Sequence, residues 1–372
     1  MIYLDNGATS FHKPPAVFEA MRQALDTCAN PGRGGHKMAM EAARTVLRCR
    51  ETAANMFDCD PEQVVFTSNC THGLNIAINS LVKPGAYVAV SGFEHNAVMR
   101  PLHKITDRIH VCGRRLFDWE DILESFEKTL KKRVDVAVFT HISNVFGYIL
   151  PVEEMAELCV KYGVPFIIDA AQSAGVLPVK LRMLGADFIA MPGHKGLLGP
   201  QGTGLLLCAR MPEPLLSGGT GSLSKDIHMP DFLPDRAEAG TLNVPGIAGL
   251  DAGMKFVGKI GLDRIYQREY REVRRCAAGL ERMGYKVFAG PHQSGTISFV
   301  PNTDCEAFAN VLGQQGIAVR AGLHCAPLAH ESAMTLDSGT VRVSFGHDAS
   351  PEQTNCFLQT LFWVGKTEKN FM

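Results

Sequence analysis

The sequence predicts an α/β fold: a mostly parallel central sheet with helices on both faces, followed by a smaller α+β domain. Three observations predict it. Short, continuous apolar runs alternate with segments of helical period between residues 64 and 208, the pattern of strands buried on both faces. Polar side chains gather just past the ends of those runs, where ligands collect in parallel sheets. After about residue 250 the rhythm changes to two long helical stretches and a few short strands.

Taken in order, Ile2-Tyr3-Leu4 is a short apolar piece ahead of a turn-rich loop, Asp5-Asn-Gly-Ala-Thr-Ser10. Pro14-Pro15 suits a helix start, and Val17, Met21, Ala24 and Leu25 recur at helical spacing to about Cys28. Asn30-Pro-Gly-Arg33-Gly-Gly35 is a loop, since three Gly and one Pro sit within six residues. Arg33 and the adjacent His36 are the reactive groups it presents. Ala42, Val46, Cys49, Ala53 and Met56 mark a helix over 37–57. Strands are then expected at 64–67, 87–90, 109–112, 134–140, 164–168, 188–190 and 204–208, with helices at 74–81, 96–105, 119–131 and 152–162 among them. The stretch 212–246 is rich in Pro, Gly and Ser and reads as a long functional loop. Beyond it come helices at 248–258 and 262–284 and strands at 295–300, 317–320 and 340–345. A last helix opens on the capping box Ser350-Pro-Glu-Gln353. The division that follows is a large domain over 14–250 and a small one over 251–372, joined by 1–13.

Composition narrows the function. With 37 Lys plus Arg against 38 Asp plus Glu, and no long basic run, the chain offers no electrostatic footprint for nucleic acid or a membrane surface. The 11 Cys are scattered and odd in number, without a C-x-x-C pair. That points to a reduced, cytoplasmic chain with neither a disulfide framework nor a zinc knuckle. No apolar run approaches the ~20 residues of a membrane span, and Met1-Ile-Tyr-Leu-Asp5 turns polar too soon for a secretory segment.

The chemistry-bearing residues lie past the strand ends. Ser68-Asn-Cys70-Thr71-His-Gly73 precedes a helix, where backbone N–H groups can hold an anion. An ordinary Ser/Thr cap is the plainer alternative. Glu94-His95-Asn96 puts an imidazole above the sheet, as ring stacker or acid–base group. His141-Ile-Ser-Asn144 adds amide and imidazole groups. Asp169 closes the apolar run Phe166-Ile-Ile168, a costly place for a carboxylate unless it meets a cation. The next strand delivers Lys195 through Asp187-Phe-Ile-Ala-Met-Pro-Gly-His194-Lys195. A lysine with an amine pKa lowered by burial is the nucleophile of Schiff-base chemistry. An amine, an acid for a pyridine nitrogen and a phosphate cup together suit pyridoxal 5'-phosphate. Gly199-Pro-Gln-Gly202-Thr-Gly204 is followed by a strand, so it is no dinucleotide fingerprint. In the small domain, Cys325 stands beyond a strand, next to His324 and near Arg320, cations that favour a thiolate. Most other Cys, such as Cys49, Cys159, Cys208 and Cys276, sit in periodic apolar stretches and read as inert core. Arg342, within the apolar strand Thr340-Val-Arg342-Val-Ser344, wants a carboxylate, either a substrate's or that of a structural Glu.

At these residues the chain resembles the class V aminotransferase group of fold-type I pyridoxal-phosphate-dependent enzymes, and within it the cysteine desulfurases. The likeness runs through Tyr3-Leu-Asp-Asn-Gly-Ala8-Thr9, Thr71-His-Gly73, Glu94-His95-Asn96, Ser143-Asn144-Val-Phe-Gly147, Asp169-Ala-Ala-Gln172, Gly193-His194-Lys195, Glu238-Ala-Gly-Thr241 and Arg320-x-Gly-x-His-Cys325. The resemblance implies that Lys195 holds the cofactor and later moves protons. It implies that Asp169 pairs with the pyridine nitrogen, that Gln172 bonds the phenolic oxygen and that His95 stacks on the ring. Thr71, His194 and the backbone near Cys70 would bind the phosphate, and Thr241 would reach that of the neighbouring subunit, so a homodimer is implied. Arg342 and Asn144, with Arg320 nearby and Ala8 lining that end, would hold the substrate carboxylate. Cys325 would be the nucleophile that takes sulfur from L-cysteine as a persulfide, releasing alanine. The short span from Cys325 to Arg342 resembles the compact-loop group related to selenocysteine lyases. Selenocysteine lyase, another class V aminotransferase or C–S lyase, and a non-catalytic sulfur carrier are the alternatives. A separate sulfur-acceptor protein is a further implied partner. Pro192 and Leu323 depart from the group's usual Ser and His.

Overall fold

A computed structural model of the chain describes residues 1–32 and 34–368; Arg33 lies outside the described residues. Seven strands form the central sheet, in the spatial order Val64–Thr67, Gly204–Cys208, Phe188–Pro192, Phe166–Asp169, Val136–Thr140, Val88–Ser91, Ile109–Cys112. Only Gly204–Cys208 runs antiparallel to its neighbours; the others are parallel, as expected. Successive strand residues face opposite sides, and here both sides are buried. Ala89, Ala137, Phe139, Ile168 and Ile189 enter one core, with the helices Lys37–Phe57 and Val152–Tyr162. Val88, Val90, Val138, Ile167 and Ala190 enter the other, with Cys70–Leu81 and Asn96–Ile105. This explains the continuous apolar runs of the inner strands; the edge strand Ile109–Cys112, with His110, is only partly buried.

A second, antiparallel sheet has the order Arg320–Gly322, Thr340–Ser344, Thr296–Val300, Lys286–Phe288. It shares a core with Leu262–Arg282 and Pro351–Glu368 through Val273, Leu280, Phe299, Val341 and Phe357. Ile2–Tyr3 pairs in parallel with Ile317–Ala318, and Leu4 joins this same core.

Several elements differ from expectation, each for a local reason. The helix expected from 74 begins at Cys70, because the Asn69 side chain accepts from the His72 N–H and caps it. Val244–Ile260 starts ahead of 248, capped by Asn243 with Pro245 in its first turn. The stretch 317–320 is divided, so that Ile317–Ala318 and Arg320–Gly322 belong to different sheets. Lys286–Phe288 and the helix Cys305–Gln314 were not expected; Cys305, Phe308 and Leu312 are buried along one face of that helix, and Asp304 caps it. The loop 212–246 carries one 3-10 turn, Asp235–Ala237, besides the start of Val244–Ile260. A buried ion pair ties the loop down: Arg50 donates to both Glu238 oxygens at 2.8 and 2.7 Å, and the Phe66 N–H donates to Glu238 Oε1 at 2.6 Å.

Candidate active site

The polar residues past the strand ends converge at one edge of the central sheet. Asp169 is the last residue of its strand, in register with Thr140 and Ala190, and is 2% exposed. Burial raises its carboxyl above the usual range, opposed by the Ala171 N–H and by nearby Lys195. The helix Cys70–Leu81 comes close enough to meet it because residue 73 is glycine; a Cβ there would meet the Ala190 Cβ at 3.2 Å. The first-turn N–H groups of Cys70 and Thr71, which have no intrahelical acceptor, open the helix toward an anion, while the N–H of His72 is spent on Asn69.

Glu94, which sequence reasoning left without a role, ties the neighbouring strand ends together. Its fully buried carboxyl accepts from Ser91 Oγ at 2.5 Å and from the Thr140 N–H at 2.9 Å. Burial lifts it to about 8 even so. His95 follows as the cap of Asn96–Ile105, its Nδ1 accepting from the Ala97 N–H at 3.0 Å. Burial and then Lys195 push His95 down to about 4. A neutral ring with Nδ1 accepting carries its proton on Nε2, the nitrogen left for a ligand.

Lys195 follows the strand Phe188–Pro192 and lines a cavity with Asn6, Gly7, Gln172 and Thr296. Burial first, and then the Arg342 cation, push its amine down to about 8, with Asp169 opposing. The amine therefore has a substantial neutral fraction near neutral pH, as Schiff-base chemistry requires. Gln172 Nε2 donates to Gly7 O at 3.0 Å. His194 Nδ1 meets Thr9 Oγ1 at 3.0 Å, and burial, then Lys195, hold its imidazole down to about 4. Pro192 ends the strand in register with Gly204, so no hydroxyl stands there.

The second sheet brings the remaining groups. Arg342 is 1% exposed; its Nη2 donates to Asp5 Oδ1 at 2.6 Å and its Nη1 to Asn144 O at 2.9 Å. Its structural acid is therefore Asp5, from the turn after Ile2–Tyr3, and not the glutamate expected. Arg342 Nε and Asn144 Oδ1 are buried without a partner among the described residues. Ala8 is half-buried in the turn after Asp5, its N–H donating to Asp5 O at 3.0 Å. Arg320, opposite Arg342 in register, is exposed at the sheet edge.

Cys325 is exposed and sits in an unusual turn. His324 and Cys325 both have left-handed φ, +50° and +58°, each costing about 1–3 kcal/mol for a residue with a Cβ. Three anchors hold the turn: the Asn96 N–H donates to Cys325 O at 2.8 Å, Asn144 Nδ2 to His324 O at 2.8 Å, and His324 Nε2 lies 3.2 Å from Thr340 O. The expectation that His324 supplies a cation to the thiol is corrected. Its ring is buried against Thr340 and its pKa lies well below the ordinary value, chiefly through burial, so it is neutral. Cys49, Cys159, Cys208 and Cys276 are buried core, as expected.

Thr241 is exposed and lines a groove with Ser68, His72 and Thr67, away from Lys195. Among the described residues no group of three or more His, Cys, Asp or Glu converges to hold a metal ion, and no helix is long and apolar enough to cross a membrane.

The aminotransferase class-V family pattern matches residues 2–357. A probable cysteine desulfurase from Pyrococcus abyssi is 34% identical, over 97% of this chain and 93% of its own. Another from Methanothermobacter thermautotrophicus is 32% identical, over 97% and 94%. The solved apo structure of a cysteine desulfurase from Thermococcus onnurineus superposes with a TM-score of 0.90 at 32% identity, over 98% of this chain and 95% of that one.

Proposed function

Because the chain belongs to the class V aminotransferase family, we propose that it is a pyridoxal-phosphate-dependent cysteine desulfurase, converting L-cysteine to L-alanine and leaving the sulfur as a persulfide on Cys325. The observation that carries this reading is the Cys325 turn. An exposed thiol is held in a strained conformation by Asn96 and Asn144, residues next to His95 and to the Arg342 contact.

The residues fit the cofactor on their own geometry. The amine of Lys195 is shifted to about 8, the first turn of Cys70–Leu81 is open to a phosphate, and Asp169 is buried where a ring nitrogen needs an acid. When bound, pyridoxal phosphate supplies an aldehyde for the substrate amine and an electron sink for the substrate carbons. Lys195 would hold the cofactor and then carry a proton to and from the substrate Cα. Asp169 would keep the ring nitrogen protonated, Gln172 would bond the phenolic oxygen, and His95 would stack on the ring. Thr71, His194 and the N–H of Cys70 bind the phosphate. Arg342, through its unpartnered Nε, and the second N–H of Asn144 Nδ2 hold the substrate carboxylate, with Ala8 closing that end and Arg320 adding positive charge.

The Cys325 thiolate attacks the substrate sulfur. The S–S bond forms as the Cβ–S bond breaks, and the electron pair goes to the substrate carbon. That carbon is protonated and leaves as alanine, so L-cysteine and the Cys325 thiol become L-alanine and the Cys325 persulfide. The exposed Thr241 and the exposed Leu216 and Ile227 of its loop support a homodimer in which Thr241 serves the neighbouring subunit's phosphate. An outward thiol also suits delivery of the sulfur to an acceptor protein.

The test is a product assay with L-cysteine and L-selenocysteine. Wild type should release alanine, not pyruvate, from cysteine. Cys325→Ala should abolish that while leaving selenocysteine cleavage largely intact, because selenium is the better leaving group. Undiminished cysteine turnover in Cys325→Ala would sink the persulfide step. Wild-type protein that stays colourless after incubation with pyridoxal phosphate would sink the cofactor.

A further inference from the structure

The thiol of Cys70 touches the buried carboxylate of Asp169. Cys70 Sγ donates to Asp169 Oδ1 at 3.4 Å, and the Ala171 N–H donates to the same oxygen at 2.8 Å. No hydrogen bond reaches Asp169 Oδ2 among the described residues. Both side chains are buried, Cys70 at 8% and Asp169 at 2% exposure, so no water competes freely for Oδ1. The thiol is held as S–H, since burial and then Asp169 push its pKa well above the ordinary value. Gly73 fixes the separation by letting the helix lie against the Phe188–Pro192 strand.

Resting on the cofactor reading above, we infer that Cys70 is a positioning residue for Asp169: its S–H occupies Oδ1, fixes the carboxylate's rotation and leaves Oδ2 as the single oxygen free to meet the ring nitrogen. The choice of sulfur matters. A thiol is a weak donor, so it orients the carboxylate while withdrawing little of its negative charge. A hydroxyl at that place would orient it and weaken its hold on the ring proton. A methyl would leave Oδ1 with one donor and the rotation unguided.

The test uses full-length Cys70→Ala and Cys70→Ser, with Asp169→Asn as control. In Cys70→Ala the dissociation constant for pyridoxal phosphate should rise roughly 2- to 5-fold, the loss of one weak hydrogen bond. Cys70→Ser should bind within about 2-fold of wild type, since it keeps the bond. The pH midpoint of the bound cofactor's visible absorbance should shift in opposite directions in the two variants, because serine lowers and alanine raises the basicity of Asp169. A merely structural role would move both the same way. A second readout needs no cofactor. The S–H stretching band that disappears in Cys70→Ala should lie at lower frequency than those of the other buried thiols, and should move up in Asp169→Asn. Alanine binding the cofactor as tightly as wild type, shifts of the same sign, or an S–H band indifferent to Asp169→Asn would each overturn the inference. Wild type that takes up no cofactor would instead refute the functional reading, and the S–H band still decides the contact.

Discussion

Arg342 is held by Asp5 and Asn144 yet keeps one donor unpartnered, and this makes its substitution informative. If the guanidinium receives the substrate carboxylate, Arg342→Lys loses the planar fork but keeps the charge, and Arg342→Ala loses both. A hydrogen bond to a charged group is worth about 1.5–3 kcal/mol. At 1.36 kcal/mol per decade, that corresponds to roughly a 10- to 150-fold rise in KM for the alanine variant, with lysine between. The turnover number should change far less, because the carboxylate lies away from the sulfur that reacts. Asp5 provides the opposing perturbation. It places a resident anion 2.6 Å from Arg342 Nη2, where it competes with an incoming carboxylate, so Asp5→Asn should lower KM. Steady-state alanine release over a cysteine titration reads both. An unchanged KM in Arg342→Ala, or a KM that rises in Asp5→Asn as it does in the arginine variant, would make the pair a structural clamp and refute the reasoning.

Three further predictions follow from the same environment. Cofactor uptake should accelerate as pH rises through about 8, where the Lys195 amine loses its proton, and stopped-flow absorbance measures it; a rate flat from pH 6 to 9 would contradict the assigned shift. Arg50→Met should destabilise the chain by about 3–5 kcal/mol in urea unfolding, because Glu238 is left buried and unpaired; a loss under about 1 kcal/mol would mean the loop simply opens to water. His141 is 3% exposed and burial holds it down to about 4, against 6.5 unfolded. The unfolded chain therefore binds the extra proton between those values, and stability falls as pH drops from 6.5 toward 4. His141→Phe should unfold less steeply over that window, monitored by circular dichroism.

How much of this was legible in the sequence depends on whether the cause was local. The seven central strands were readable because burial on both faces forces uninterrupted apolar runs, as in Phe166-Ile-Ile168. Asp169 and Lys195 were readable for the same reason: a charge at the end of such a run is costly to bury, so a carboxylate and an amine on successive strand ends point to each other or to a shared ligand. The partners were not readable. Asp5 lies 337 positions from Arg342, and Cys70 lies 99 from Asp169; no spacing encodes either contact. Glu94 was visible in Glu94-His95-Asn96, but its task of joining two strand ends exists only once those strands are neighbours. His324 was misjudged because adjacency along the chain says nothing about which way a ring turns. Gly147, at φ +67° with Thr296 O where a Cβ would stand, is a case where residue type alone carried the hint.

The turn at His324–Cys325 has a wider consequence. Its anchors come from three places, the Asn96 and Asn144 ends of the central sheet and Thr340 of the second, and each offsets part of the conformational strain. The pose of the Cys325 thiol is therefore conditional on the two sheets being docked, and is among the first things lost when they part. Under mild denaturant or heat the turn should relax while both cores are still intact. An exposed thiol held this way keeps its strained conformation only on a properly assembled molecule.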